Sequence, residues 1–227
     1  GPYLVYGGVA LVRKLQINSE HGEPLTWQKT ADLDIVDSYA LCRCGLSRNK
    51  PFCDWTHDDE NFNGTETADT NTYDERKIIL EGSTNIVIKR DYSICSETGF
   101  CGNRLGNIEK MAGKTDESII RAQVMAMIER CPSGSYSYAL SEEAEDIEPD
   151  LPTQIAVTTE MSSEVPIVGP LWVTGHVPID RYDRRPLETR NRVTLCRCGQ
   201  SKMKPLCDGT HRLLHITEET NITSEPS

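Results

Sequence analysis

Apolar residues come in short runs along this chain, so the pattern predicts several small elements rather than one thick core. The clearest element is a helix, in which Ile120, Val124, Met127 and Ile128 fall at i, i+4, i+7 and i+8. Thr115 and Asp116 are capping candidates at its start, and Cys131-Pro132 stops it. Strands are expected at 85–89 and 135–140, on either side of a cysteine-bearing loop and that helix. Two further apolar, glycine-punctuated runs read as strands: GPYLVYGGVAL from residue 1 and GPLWVTGHVPI from residue 169. Residues 141–150, SEEAEDIEPD, hold six acidic groups in ten and read as solvated linker. The closing TEETNITSEPS reads as a frayed polar tail.

The two glycine-punctuated runs open an internal repeat. Residues 41–57, LCRCGLSRNKPFCDWTH, match 195–211, LCRCGQSKMKPLCDGTH, at twelve of seventeen positions. The first copy carries about fourteen extra residues, around 22–30, between its strand and its cysteines. Duplicated units imply two copies of one supersecondary structure. Each has only about fifty residues, too few for a secure core alone, so pairing within the chain is expected.

Composition narrows the function classes. The 227 residues are 37% hydrophobic with a formal charge of −11, which argues against one large apolar core and against general nucleic-acid binding. No apolar run is long enough to span a bilayer, so a soluble protein without membrane contact is expected. No presequence is visible; the expected compartment is the bacterial-type cytoplasm, or the mitochondrial matrix if a presequence has been removed. Nine cysteines are an odd number, which a closed disulfide set cannot use. They fall in three groups of three, and grouping with histidine favours metal ligation in a reducing compartment. The N-x-T sites at Asn63 and Asn221 are then chance matches.

Cys42 and Cys44, at i and i+2 on an extended segment, point to one side. Cys53 and His57, at i and i+4, share one face of a helical turn. Asp54 stands at a natural N-cap position, and Pro51 and Pro205 fix the backbone before the turns. Cys196, Cys198, Cys207, Asp208 and His211 repeat every spacing. Zinc accepts three sulfurs and one nitrogen, but C-x-C is tight for a structural zinc site. Two pairs, each able to take one iron, suit a [2Fe–2S] cluster better, with histidine raising its potential.

The pattern C-x-C-x2-S-x3-P-x-C-D-x-x-H resembles the CDGSH iron–sulfur family, of mitoNEET type. CDGTH at 207–211 matches closely, while CDWTH at 53–57 places Trp55 where glycine is usual. The resemblance implies that Cys42 and Cys44 hold an inner iron and Cys53 and His57 an outer one. Cys196, Cys198, Cys207 and His211 take the same roles in the second copy. Tandem members fold as a monomeric pseudo-dimer.

The middle group, Cys95, Cys101 and Cys131, resembles the divergent single-cluster ferredoxins found fused to such motifs, with Thr98 at the position of the missing ligand. Three cysteines suit a [3Fe–4S] cluster, or a [4Fe–4S] cluster with one non-cysteine ligand; the alternative is a fold that keeps three inert thiols. Ser47 and Ser201 either bond cluster sulfurs or satisfy turn backbone. Arg43 and Arg197 either balance cluster charge or face water. Trp172 reads as core, and His21, His176 and His215 as surface.

The expected fold is α+β. Two small β-rich cluster units, 1–71 and 165–216, form an intrachain pseudo-dimer around a ferredoxin-like α+β domain at 72–140. An acidic linker, 141–164, and a polar tail, 217–227, complete the chain. No phosphate loop, nucleophile elbow or paired-carboxylate motif is present, so a non-enzymatic electron carrier with two [2Fe–2S] clusters and a third cluster is expected. A basic redox partner suits the acidic surface. A cluster carrier or redox and pH sensor, and a structural zinc module, are the alternatives.

Overall fold

The computed structural model describes residues 1–218, so Asn221 and most of the expected polar tail lie outside the described residues. In the first unit, β1 (Tyr3–Val5) pairs antiparallel with β4 (Tyr39–Leu41), and β2 (Ala10–Asn18) with β3 (Pro24–Leu33). The short helix α1 (Thr56–Asp59) carries His57. The extra residues of the first copy therefore form the turn after β2 and much of β3.

The insert opens with α2 (Tyr73–Arg76) and forms a three-stranded sheet from β5 (Ile78–Ile79), β6 (Val87–Arg90) and β9 (Tyr136–Ala139). Between the last two come a small hairpin, β7 (Gly102–Asn103) and β8 (Gly106–Asn107), and the helices α3 (Ile108–Ala112) and α4 (Ser118–Arg130). The predicted helix is α4: Val124, Met127 and Ile128 are buried against Ile88, Ile108, Tyr136 and Tyr138. Its caps differ from expectation. Glu117 is the N-cap and makes no side-chain cap bond. Thr115 is used elsewhere, its hydroxyl donating to the Ala112 carbonyl (2.9 Å) and accepting from Thr84 N–H (2.7 Å).

The second unit contains β10 (Gln154–Met161), β11 (Pro166–Thr174), β12 (Arg192–Leu195) and the helix α5 (Thr210–Leu213). One five-stranded sheet, in the order β12-β11-β10-β2-β3, joins the units, with β10 parallel to β2 and every other pairing antiparallel. The stretch 141–164 is thus not linker throughout, because β10 lies at the centre of that sheet. Both faces of β10 are largely buried, so QIAVTTEM lacks the alternation that marks a half-exposed strand. Its buried Thr158 finds a partner, donating to the Pro170 carbonyl at 2.6 Å.

The units share one core, including Leu11, Leu41, Ile155, Leu171, Val173, Leu195 and Leu206. They also interlock through hydrogen bonds. The Tyr3 hydroxyl donates to the Cys196 carbonyl (2.7 Å), and the Thr67 and Ala68 N–H groups donate to the Lys204 carbonyl. This is the pseudo-dimer within one chain. Among the described residues, no helix is long and apolar enough to cross a membrane.

Buried Gln16 ties three parts together. Its Nε2 donates to the Thr98 carbonyl of the insert (2.8 Å), and its Oε1 accepts from Met161 N–H at the end of β10 (3.0 Å). Around it, Trp27 of β3 packs on Phe100 with ring centres 5.4 Å apart, and Arg130 donates to the Leu25 carbonyl. From β12, buried Arg192 donates to the Ile128, Glu129 and Cys131 carbonyls and so caps the end of α4. Gln16→Ala takes away the partner of the buried Thr98 carbonyl and of the half-buried Met161 N–H, so denaturant titration is expected to show a loss of about 1–3 kcal/mol.

Candidate metal centres

Each repeat brings its four donors together in two pairs. Cys42 leaves β4, and its N–H donates to the Pro51 carbonyl, while Cys53 N–H donates to the Ala40 carbonyl. These bonds fold the 42–53 loop back on itself. The second copy repeats them, with Cys196 N–H to Pro205 and Cys207 N–H to Thr194. Both Lys-Pro peptides, at Pro51 and Pro205, are cis.

Within the pairs, Cys42 Sγ lies 3.7 Å from Cys44 Sγ, and Cys53 Sγ 3.5 Å from His57 Nδ1. The second copy gives 3.8 Å for Cys196 and Cys198, and 3.4 Å for Cys207 and His211 Nδ1. Two ligands on one tetrahedral metal, at roughly 2.3 Å for sulfur and 2.0–2.1 Å for nitrogen, stand about 3.5–3.8 Å apart. Every pair therefore has the bite for one metal ion. Among the described residues, no three or more His, Cys, Asp or Glu side chains converge as a single-ion site requires. The donors of each repeat are thus gathered as two close pairs.

Electrostatics suit the same chemistry. Hydrogen bonding within the C-x-C pair lowers the Cys42 thiol and raises that of Cys44, and Cys196 and Cys198 behave alike. Burial pushes the Cys53 thiol up and the Cys207 thiol well up, and a cation beside them would favour their thiolate forms. Backbone N–H groups of Gly45, Leu46 and Trp55 point at Cys42, Cys44 and Cys53 sulfurs, at 3.3, 3.4 and 3.4 Å. Such bonds stabilise sulfur-borne charge.

The supporting residues act on the loops. Ser47 donates to the Phe52 carbonyl and Ser201 to Leu206, both at 2.7 Å, so each satisfies turn backbone. Asp54 and Asp208 stand one residue before the N-caps, which are Trp55 and Gly209. Their carboxylates nevertheless accept the Thr56 and Thr210 N–H groups, and those of Arg48 and Lys202 across the loop. Arg43 and Arg197 are buried and do not face water: Arg43 pairs with Glu66 at 2.9 Å, and Arg197 with Glu218 at 2.9 Å.

The two sites differ at the histidine. His57 Nε2 faces exposed Asp58 at 3.3 Å, beside Trp55, which is 58% exposed. His211 Nε2 instead faces Glu160 Oε2 at 3.2 Å, and Glu160 is 0% exposed and also paired with Arg212. A carboxylate on the second ring nitrogen orients an imidazole ligand. Glu160 could not be found from the motif, because it reaches the site from β10.

In the insert, Cys95 follows the 3₁₀ turn Tyr92–Ile94, Cys101 precedes β7, and Cys131 ends α4. Burial raises Cys95 to about 12, with Glu97 and Cys131 adding to the rise; burial and Cys131 also raise Cys101. Cys131 thus acts on both of the other two thiols, and none of the three forms a disulfide. Thr98 is buried, and its carbonyl is taken by Gln16.

Comparison with protein families matches residues 1–58 and 168–212 to the iron-binding zinc finger of CDGSH type, and 82–141 to the divergent 4Fe-4S mono-cluster domain. The two segments similar to CDGSH fingers thus flank the segment similar to a mono-cluster domain, as the repeat and the insert do in the fold. Comparison with curated proteins and with solved structures gives no match. Together the two families make this an iron–sulfur protein.

Trp55 in the first CDGSH loop has φ 70° and ψ 3°, against 80° and 0° for Gly209 in the second. The loop geometry is therefore kept, at the cost of a bulky residue in the left-handed region. A Cβ on Gly209 would stand 2.6 Å from Glu97 Cβ. Gly209→Ala is expected to cost about 1–3 kcal/mol by denaturant titration. Trp55→Gly is expected to keep the first site's iron and to shift stability by no more than about 1 kcal/mol.

Proposed function

We propose that this protein carries single electrons through two [2Fe–2S] clusters of three cysteines and one histidine, with a third cluster in the insert. Cys42 with Cys44, and Cys53 with His57, each hold one iron of the first cluster. Cys196 with Cys198, and Cys207 with His211, hold those of the second. Cys95, Cys101 and Cys131 hold the third, of [3Fe–4S] or [4Fe–4S] type. The observation that carries this reading is the two-by-two gathering of donors at single-metal bite distances, repeated in both units.

A bound cluster supplies a one-electron couple. The chain's residues place it, set its charge with the backbone N–H groups, and turn the histidine edges toward Asp58 and Glu160. The shared sheet supports a monomer, and the net charge of −11 favours a partner with a basic face.

Iron and acid-labile sulfide per chain, with EPR, test the assignment. About seven irons indicate two [2Fe–2S] and one [3Fe–4S] cluster, and about eight a [4Fe–4S] centre. About four leave the insert empty. The anaerobic protein is expected to be red-brown and to cycle reversibly with dithionite; delivery of its cluster to an apo-acceptor would make it a cluster carrier instead. A colourless protein with stoichiometric zinc would overturn both. His57→Cys and His211→Cys are each expected to lower the midpoint potential of one cluster, because an all-cysteine set is more electron-rich. Unchanged potentials would remove histidine from the ligand sets.

A further inference from the structure

The insert is not docked symmetrically on the two CDGSH units. Its cysteine turn, Cys95–Cys101, rests on the second site. A Cβ on Gly209 would meet Glu97 Cγ at 2.5 Å and Ser96 O at 3.3 Å. Gly209 is two residues from both Cys207 and His211, and Glu97 is two residues from Cys95. One van der Waals contact therefore separates the ligand loop of the insert from that of the second site. At the first site Trp55 stands in the place of Gly209 and is exposed.

The contact is held in place from several sides. Gln16 takes the Thr98 carbonyl, Trp27 packs on Phe100, and Arg192 fixes the end of α4 at Cys131. Glu97 itself adopts φ 58°, a left-handed conformation that a glutamate accepts only when its surroundings impose it. Beyond the second site the next step is also short. A Cβ on Gly45 would lie 2.6 Å from the Cys198 carbonyl oxygen, and one on Gly199 2.2 Å from that of Cys44. The three ligand loops thus make successive contacts: insert to second site, second site to first.

We propose that the Ser96–Glu97 turn seated on Gly209 is the electronic contact between the insert and the second CDGSH site, so that the insert exchanges electrons with that site and reaches the first only through it. One electron leaves one centre and enters the other; no bond is made and no proton moves. Tunnelling falls steeply with distance and is better through bonds than through gaps, which favours this route over any other between the insert and the first site. The inference rests on the reading of Cys95, Cys101 and Cys131 as ligands of a third cluster.

EPR of the full-length reduced protein tests it, because neighbouring paramagnets broaden each other's signals. His57→Cys and His211→Cys identify which [2Fe–2S] signal belongs to which site, and Cys131→Ser removes the insert's cluster. The expected result is that Cys131→Ser sharpens the signal assigned by His211→Cys and leaves that assigned by His57→Cys unchanged. Gly209→Trp, which copies the first site, is expected to sharpen the same signal with iron content intact; if that variant does not fold, the Cys131→Ser comparison decides alone. Four irons per wild-type chain would overturn the third-cluster reading and this route with it. Seven or eight irons, with the second site's signal indifferent to Cys131→Ser or the first site's the one that responds, would overturn the route alone.

Discussion

Where the two repeats meet, two glycines lie directly against two carbonyls. Gly45 faces the Cys198 carbonyl and Gly199 faces that of Cys44, at distances that leave no room for a Cβ on either side. Both glycines also have φ near 80°. The two C-x-C-G turns can therefore meet back to back, and the rest of the architecture follows from that meeting. The parallel pairing of β2 with β10, the common core and the Tyr3 bridge to Cys196 all keep the turns in register.

A chain with modest apolar content must build much of its interior from polar groups, and it does so with arginines. Arg43 and Arg181 share Glu66, Arg197 reaches Glu218 and two carbonyls, and Arg192 closes a helix end. Paired buried charges of this kind contribute little net stability compared with apolar packing. Guanidinium groups have rigid, forked geometry, however, and each of these links segments distant in sequence. Their contribution here is to position the ligand loops.

The insert shows why the first copy of the repeat is longer. Its extra residues extend the sheet by β3, and that strand supplies Trp27 and the Leu25 carbonyl, which grip the insert beside its cysteines. The two CDGSH units consequently differ in surroundings although their loops are nearly superposable in sequence. One histidine looks toward an exposed aspartate, and the other toward a buried glutamate.

The repeat, the close pairing of its cysteine and histidine side chains, the α4 helix and the flanking of an insert by the two repeats were legible in the sequence, because each rests on short-range spacing or on the repeat itself. Cysteines at i and i+2, a histidine at i+4 and apolar residues at helical intervals carry their geometry with them. The caps of α4, the place of β10, the role of Glu160 and the burial of Arg43 and Arg197 were decided only by the tertiary structure. β10 lacks alternation because it is covered on both faces, and Glu160 reaches His211 from a different strand of the sheet. Spacing along the chain determines which donors can share a metal, whereas long-range packing determines what surrounds them and which site the insert touches.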